Sequence, residues 1–109
     1  MVKVGIIRCQ QTEDTCPGTS CFVARDHGAA HFQPLGETSV VGFVSCGGCS
    51  GRRAVQRAQL LARKGAEVIM LSTCMVRGSY GGTMTCPYIG PMREAIERVT
   101  GLPIVNGTH

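Results

Sequence analysis

The chain has 109 residues, of which 43% are hydrophobic and 17% charged, with a net charge of +4. That length fits one domain, residues 1–109, with a single modest core, and that balance excludes a disordered chain. With three phenylalanines, two tyrosines and no tryptophan, it lacks the basic and aromatic interleaving of a nucleic-acid surface. No apolar run approaches the roughly 18 residues of a membrane span.

Val2 to Arg8 is a β-branched run and is predicted to be a buried strand, ending at Cys9. Gln10 to Thr15 is polar and reads as a loop. In Cys16-Pro17-Gly18-Thr19-Ser20-Cys21 the Pro-Gly pair marks a turn, and Thr19 or Ser20 is placed to cap a helix whose first turns are Cys21 to Arg25. Gly28 ends or interrupts it, and His31 to Thr38, with Pro34 and Gly36, reads as a connection. His27 and His31 are expected at the surface.

Ser39 to Ser45 is a second strand, apolar almost throughout, closed by Cys46. A helix from about Ser50 to Lys64 follows. Ala54, Val55, Ala58, Leu61 and Ala62 share one of its faces, while Arg52, Arg53, Arg57, Arg63 and Lys64 form a solvated face. Gly65 supplies its stop. Glu67 to Thr73 is a third strand, ending at Cys74. The loop from Met75 to Thr85 contains Gly78, Gly81 and Gly82 but no Lys-Ser/Thr pair of a nucleotide loop, and reads as a connection or lid. Cys86-Pro87 opens a last helix with Ile89, Met92, Ile96 and Val99 as its apolar stripe, stopped by Gly101. Leu102 to Val105 is a short fourth strand. This alternation predicts an α/β fold: a single three-layer domain with a four-stranded, mostly parallel sheet flanked by helices, Rossmann-like or flavodoxin-like.

In such a sheet, sites lie beyond the carboxyl ends of the strands. Those ends read Cys9, Cys46, Cys74 and, just past the last strand, His109. Seven cysteines are many for this length. Their odd number, the absence of a signal peptide before the first strand and the ordinary α/β pattern argue against a secreted disulfide scaffold, so the expected location is the cytoplasm. Thiols on adjacent strands, about 4.8 Å apart, come within reach of a shared metal with bonds of about 2.3 Å.

Cys46-Gly47-Gly48-Cys49 is the centre of this edge. A C-x-x-C at a chain reversal is half of a tetrahedral zinc site or part of an iron–sulfur site. The glycines allow a tight turn that aims amides at sulfur, and the following helix N-terminus favours thiolate. The same motif fits a dithiol oxidoreductase with Cys46 attacking and Cys49 resolving. A phosphatase-type loop, with Arg52 six residues after Cys46, is opposed by Cys49 inside the loop and by the lack of a clear acidic partner. The metal reading takes Cys46 and Cys49 as core ligands, joined by two from Cys9, Cys74, Cys86 and His109, with Cys16 and Cys21 in second rank. Zinc suits a mixed thiolate and imidazole set.

Val44-Ser45-Cys46-Gly47-Gly48-Cys49 resembles the signature of the CGGC domain family. Val4 to Cys9 is similar to its first strand, and Cys16 to Phe22 to its second cysteine block. Leu71 to Cys74, Cys86-Pro87 and Gly107-Thr108-His109 resemble its later blocks, in order. The resemblance spans essentially the whole chain. It implies zinc binding by cysteine and histidine, with no established activity, and it implies that Cys16, Cys21 and His109 belong to the pattern. Neither a substrate nor a partner, small molecule or protein, follows from it.

Overall fold

The computed structural model describes residues 1–77 and 86–109. Four strands, β1 (Val2–Arg8), β2 (Thr38–Ser45), β3 (Val68–Leu71) and β4 (Ile104–Asn106), form one sheet in the order β2-β1-β3-β4. Every pairing is parallel. Four helices are described, α1 (Thr19–Asp26), α2 (Arg52–Arg63), the single turn α3 (Thr73–Val76) and α4 (Ile89–Thr100).

Strand alternation sorts the apolar residues onto two faces. Val4, Ile6, Val68 and Met70 pack with Ala24 of α1 and with Phe32. Ile7, Ile69 and Leu71 pack on the other face with Ala54, Ala58 and Leu61 of α2 and Met92 and Ile96 of α4. The result is the expected three-layer α/β domain.

One irregularity positions α2. The β1–β2 register slips between Val4 and Gly5, so that Val4 faces Val40 but Gly5 faces Gly42. Val41 is the extra residue of a bulge, which is rare between parallel strands. The slip sets two glycines side by side beneath Leu61. A Cβ at Gly5 would lie 2.9 Å from Leu61 Cδ1, and one at Gly42 would collide with Leu61 Cδ2. Bare backbone at both positions lets Leu61 sink onto the sheet, where burying a leucine is worth roughly 2 kcal/mol.

Boundaries differ from the sequence expectation in several places, α1 among them, which starts at Thr19 with Gly18, not Thr19 or Ser20, in the capping position. β3 stops at Leu71 because Ser72, still extended, starts the turn of α3 instead of prolonging the strand. β4 begins at Ile104, beyond Pro103, which has no N–H for the ladder and offers only its carbonyl to Ile69 N at 3.0 Å. α4 begins at Ile89, after a turn through Pro87 and Tyr88, and Val99 is 41% exposed, so its apolar stripe is shorter than expected. Finally, Ala30–Leu35, read as a connection, is a 3-10 helix whose Phe32 is fully buried in the core. The glycines Gly78, Gly81 and Gly82 of the expected lid lie outside the described residues.

Candidate functional site

The chain passes from β1 to β2 on one side and then returns to β3 on the other side of β1. Such a reversal opens a crevice beyond the strand ends, where open α/β sheets place their sites. Here a cavity of about 350 Å³ is lined by Cys9, Cys46, Cys49, Cys74 and Cys86. Gln10, Gln11, Met75, Tyr88 and Met92 complete much of its wall. Five cysteines from four separate stretches of sequence therefore face one space.

Each thiol is placed by its element. Cys9 follows β1 and starts a 3-10 turn, Gln10–Thr12. Cys46 follows β2, and its amide donates to the Arg8 carbonyl at 2.7 Å. The turn after it requires glycine, since Gly47 and Gly48 have φ of 78° and 106°. Arg57 of α2 braces this turn, donating to the carbonyl and the Oγ of Ser45 at 3.0 and 2.9 Å. Cys74 sits in α3, its sulfur 2.8 Å from Ser72 Oγ and 3.7 Å from Thr12 Oγ1. Cys86 precedes α4, its amide donating to the Met75 carbonyl at 3.3 Å.

Burial, and after it the neighbouring thiols, favour the protonated form at two of these cysteines. Burial pushes the Cys9 thiol above its ordinary range, and the neighbouring Cys46 and Cys74 add to the rise. Burial likewise raises Cys86, with Cys46, Cys49 and Cys74 as like-charge neighbours. Two desolvated thiols surrounded by others hold their protons; a cation among them would reverse that. Among the described residues, no three Cys, His, Asp or Glu side chains stand close enough together to hold a metal ion as they are.

The remaining sequence candidates lie elsewhere. Cys21 is buried on α1, 3.1 Å from Thr108 Oγ1, and burial raises its thiol. Cys16 is half-buried before α1, its amide bonded to the Thr12 carbonyl at 2.8 Å. His109 is exposed and does not line the cavity. Its backbone is pinned instead: Thr73 Oγ1 accepts from His109 N at 3.0 Å and lies 2.9 Å from the His109 carbonyl. Thr108, fully buried, bonds the same Thr73 through its amide at 2.9 Å. The chain end thus docks against the turn that carries Cys74. His27 is exposed as expected. His31 is not; it is half-buried against Gly107, and its Nδ1 is buried with no hydrogen-bond partner among the described residues. Arg52 is exposed at the start of α2, away from the cavity lining.

Spacing alone did not reveal Gln10, Gln11, Tyr88 and Met92 in the cavity wall. The first two follow a strand-end cysteine, which is the signal that could have found them. The chain matches the CGGC domain over residues 3–109. It belongs to the CGGC domain family. This CGGC domain is 37% identical over 120 aligned residues to uncharacterized protein MJ0582 of Methanocaldococcus jannaschii, covering 99% of the present chain and 87% of that protein. It is also 37% identical over 67 residues to uncharacterized protein MJ0766 of the same organism, covering 61% of the present chain and 94% of that protein. No solved structure matches the chain. No helix among the described residues is long and apolar enough to cross a membrane.

Proposed function

We propose that this CGGC domain binds a metal ion through cysteine thiolates in the cavity at the end of its sheet, and that the metal is zinc. The observation that carries the reading is the gathering of Cys9, Cys46, Cys49, Cys74 and Cys86 around one space at the point where the strand order reverses. Thiolate chemistry supports the choice of metal: zinc takes four thiolates as readily as a mixed set, with bonds of about 2.3 Å. Uptake requires half-buried thiols to lose their protons and turn toward one another, so binding is coupled to proton release and local ordering. A cytoplasmic location keeps seven thiols reduced and available.

A dithiol activity at Cys46 and Cys49 is the competing reading, and one observation bears on its mechanism. Cys46 is 6% exposed, whereas Cys49 is exposed. An incoming disulfide would meet Cys49 first, the reverse of the order expected from sequence. Protein purified without oxygen, analysed for metal and by visible spectroscopy, decides between these readings. Colourless protein with about one zinc per chain supports the proposal. A brown chromophore would replace zinc by an iron–sulfur cluster. Metal-free protein with a reversible Cys46–Cys49 disulfide would sink the metal reading in favour of thiol redox chemistry.

A further inference from the structure

Of the five thiols that line the cavity, one has two hydroxyl neighbours. The Cys74 sulfur lies 2.8 Å from Ser72 Oγ and 3.7 Å from Thr12 Oγ1. Among the described residues, no other cavity sulfur has a hydroxyl at hydrogen-bond distance; Cys49 meets only the side-chain amide of the exposed Gln11, at 3.7 Å. Ser72 is buried, and among the described residues its hydroxyl has this sulfur as its one partner. Thr12 is buried too, and its single hydroxyl proton goes either to the Cys9 carbonyl, at 2.9 Å, or to the Cys74 sulfur. Behind Thr12 stands the buried Arg8, donating to Thr12 Oγ1 at 2.7 Å and to the Cys9 carbonyl at 3.3 Å. No carboxylate among the described residues balances this guanidinium, and a buried positive charge without a counter-charge favours negative charge close by.

From this setting we infer that Cys74 is the nucleophilic thiol of the reduced, metal-free cavity, and that it reacts with a low-molecular-weight disulfide. Thiolate is the attacking form of cysteine. A charged Cys74 sulfur only accepts, so the Ser72 hydroxyl then donates to it, and the Thr12 hydroxyl, polarised by Arg8, adds a second bond. Size sets the class of substrate. Cys74 is half-buried in the wall of a cavity of about 350 Å³, which has room for one arm of a small disulfide and not for the surface of a folded protein. In the step, a bond forms between the Cys74 sulfur and one sulfur of the disulfide as the disulfide bond breaks. Cys74 is oxidised to a mixed disulfide, and the leaving arm is reduced to a thiol that takes up one proton for the one Cys74 gave up. Cys74 is a different thiol from the Cys46–Cys49 pair of the dithiol reading. The step needs no zinc, and zinc held by the same thiol would block it.

The test uses protein reduced without oxygen, stripped of metal with a chelator and treated with 4,4′-dithiodipyridine, a small disulfide whose leaving thiopyridone is followed by absorbance. One phase is expected to run ahead of the rest. Cys74→Ser should abolish it and Cys49→Ser should keep it. Ser72→Ala and Thr12→Val should each slow it by about tenfold, the loss of one hydrogen bond to a charged sulfur. Thr12→Ser, which keeps the hydroxyl, should restore the wild-type rate, a rescue that a purely space-filling role for Thr12 would not give. Unmutated protein treated with one equivalent of the disulfide, quenched in acid and mapped by peptide mass spectrometry keeps the test open if a variant does not fold. The thiopyridyl label on Cys74 supports the assignment, and a first label on any other cysteine overturns it. So does a fast phase that survives Cys74→Ser, or one that neither Ser72→Ala nor Thr12→Val slows.

Discussion

The hydroxyl of Thr12 accepts a hydrogen bond of 2.7 Å from Arg8 Nη2, and lies 2.9 Å from the Cys9 carbonyl and 3.7 Å from the Cys74 sulfur. Arg8 is 7% exposed, its guanidinium 5.9 Å from the Phe43 ring centroid, and no carboxylate among the described residues pairs with it. Thr12 thus links a buried positive charge to the Cys74 thiol and to the backbone of Cys9, the kind of outer-shell support that would orient a ligand. Thr12→Val keeps the shape and removes the link; competition with a chelator is expected to show zinc affinity lowered by about tenfold. The buried thiols give a second expectation. Burial raises Cys9, Cys21 and Cys86, so the folded chain holds those protons to higher pH than the unfolded chain does. Their contribution to stability is full below the ordinary thiol range and is lost as pH climbs through the raised values. Reduced, metal-free protein should therefore melt at falling temperature from about pH 8.5 upward. The zinc-loaded protein, its ligands already deprotonated, should lose stability at acid pH instead, which thermal melts across pH will show.

At the scale of elements, the contact of Leu61 with Gly5 and Gly42 holds α2, and hence the turn after Cys46, against the sheet. Gly42→Ala is expected to cost about 1–3 kcal/mol in urea denaturation, because the new methyl meets the buried Leu61 side chain, which must shift. Adding Leu61→Ala should relieve part of that cost, so the two changes will not be additive. β1, β2 and α2 were legible because their apolar residues repeat with the periods of strand and helix over a whole element. Ala30–Leu35 was not, since one 3-10 turn anchored by a single Phe32 has no period to read. The strand-to-turn change at Ser72 was missed for a related reason. Ser72 and Thr73 continue an apolar run by position, yet their hydroxyls serve Cys74 and the docked chain end.

At the scale of the molecule, a site assembled from residues 9 to 86 would make the proposed metal binding a folding event. Zinc at a hundredfold excess over its dissociation constant contributes about 2.7 kcal/mol, which for a domain of this size raises the melting temperature by on the order of 10 °C. A chelator should reverse that gain in scanning calorimetry. By itself the sequence determined the β-α alternation, the parallel sheet, the family and the placing of Cys9 and Cys46 at strand ends, because these follow from periodicity and motifs local to the chain. Only the tertiary structure decided the order β2-β1-β3-β4, which faces Cys86 toward the same space as Cys9 and leaves Cys16, Cys21 and His109 outside it. It also decided that Cys46 is buried and Cys49, three residues on, is exposed. Spacing makes those two thiols a pair; the apolar cluster beneath α2 and α4 encloses the first, and the glycine turn carries the second out to the rim.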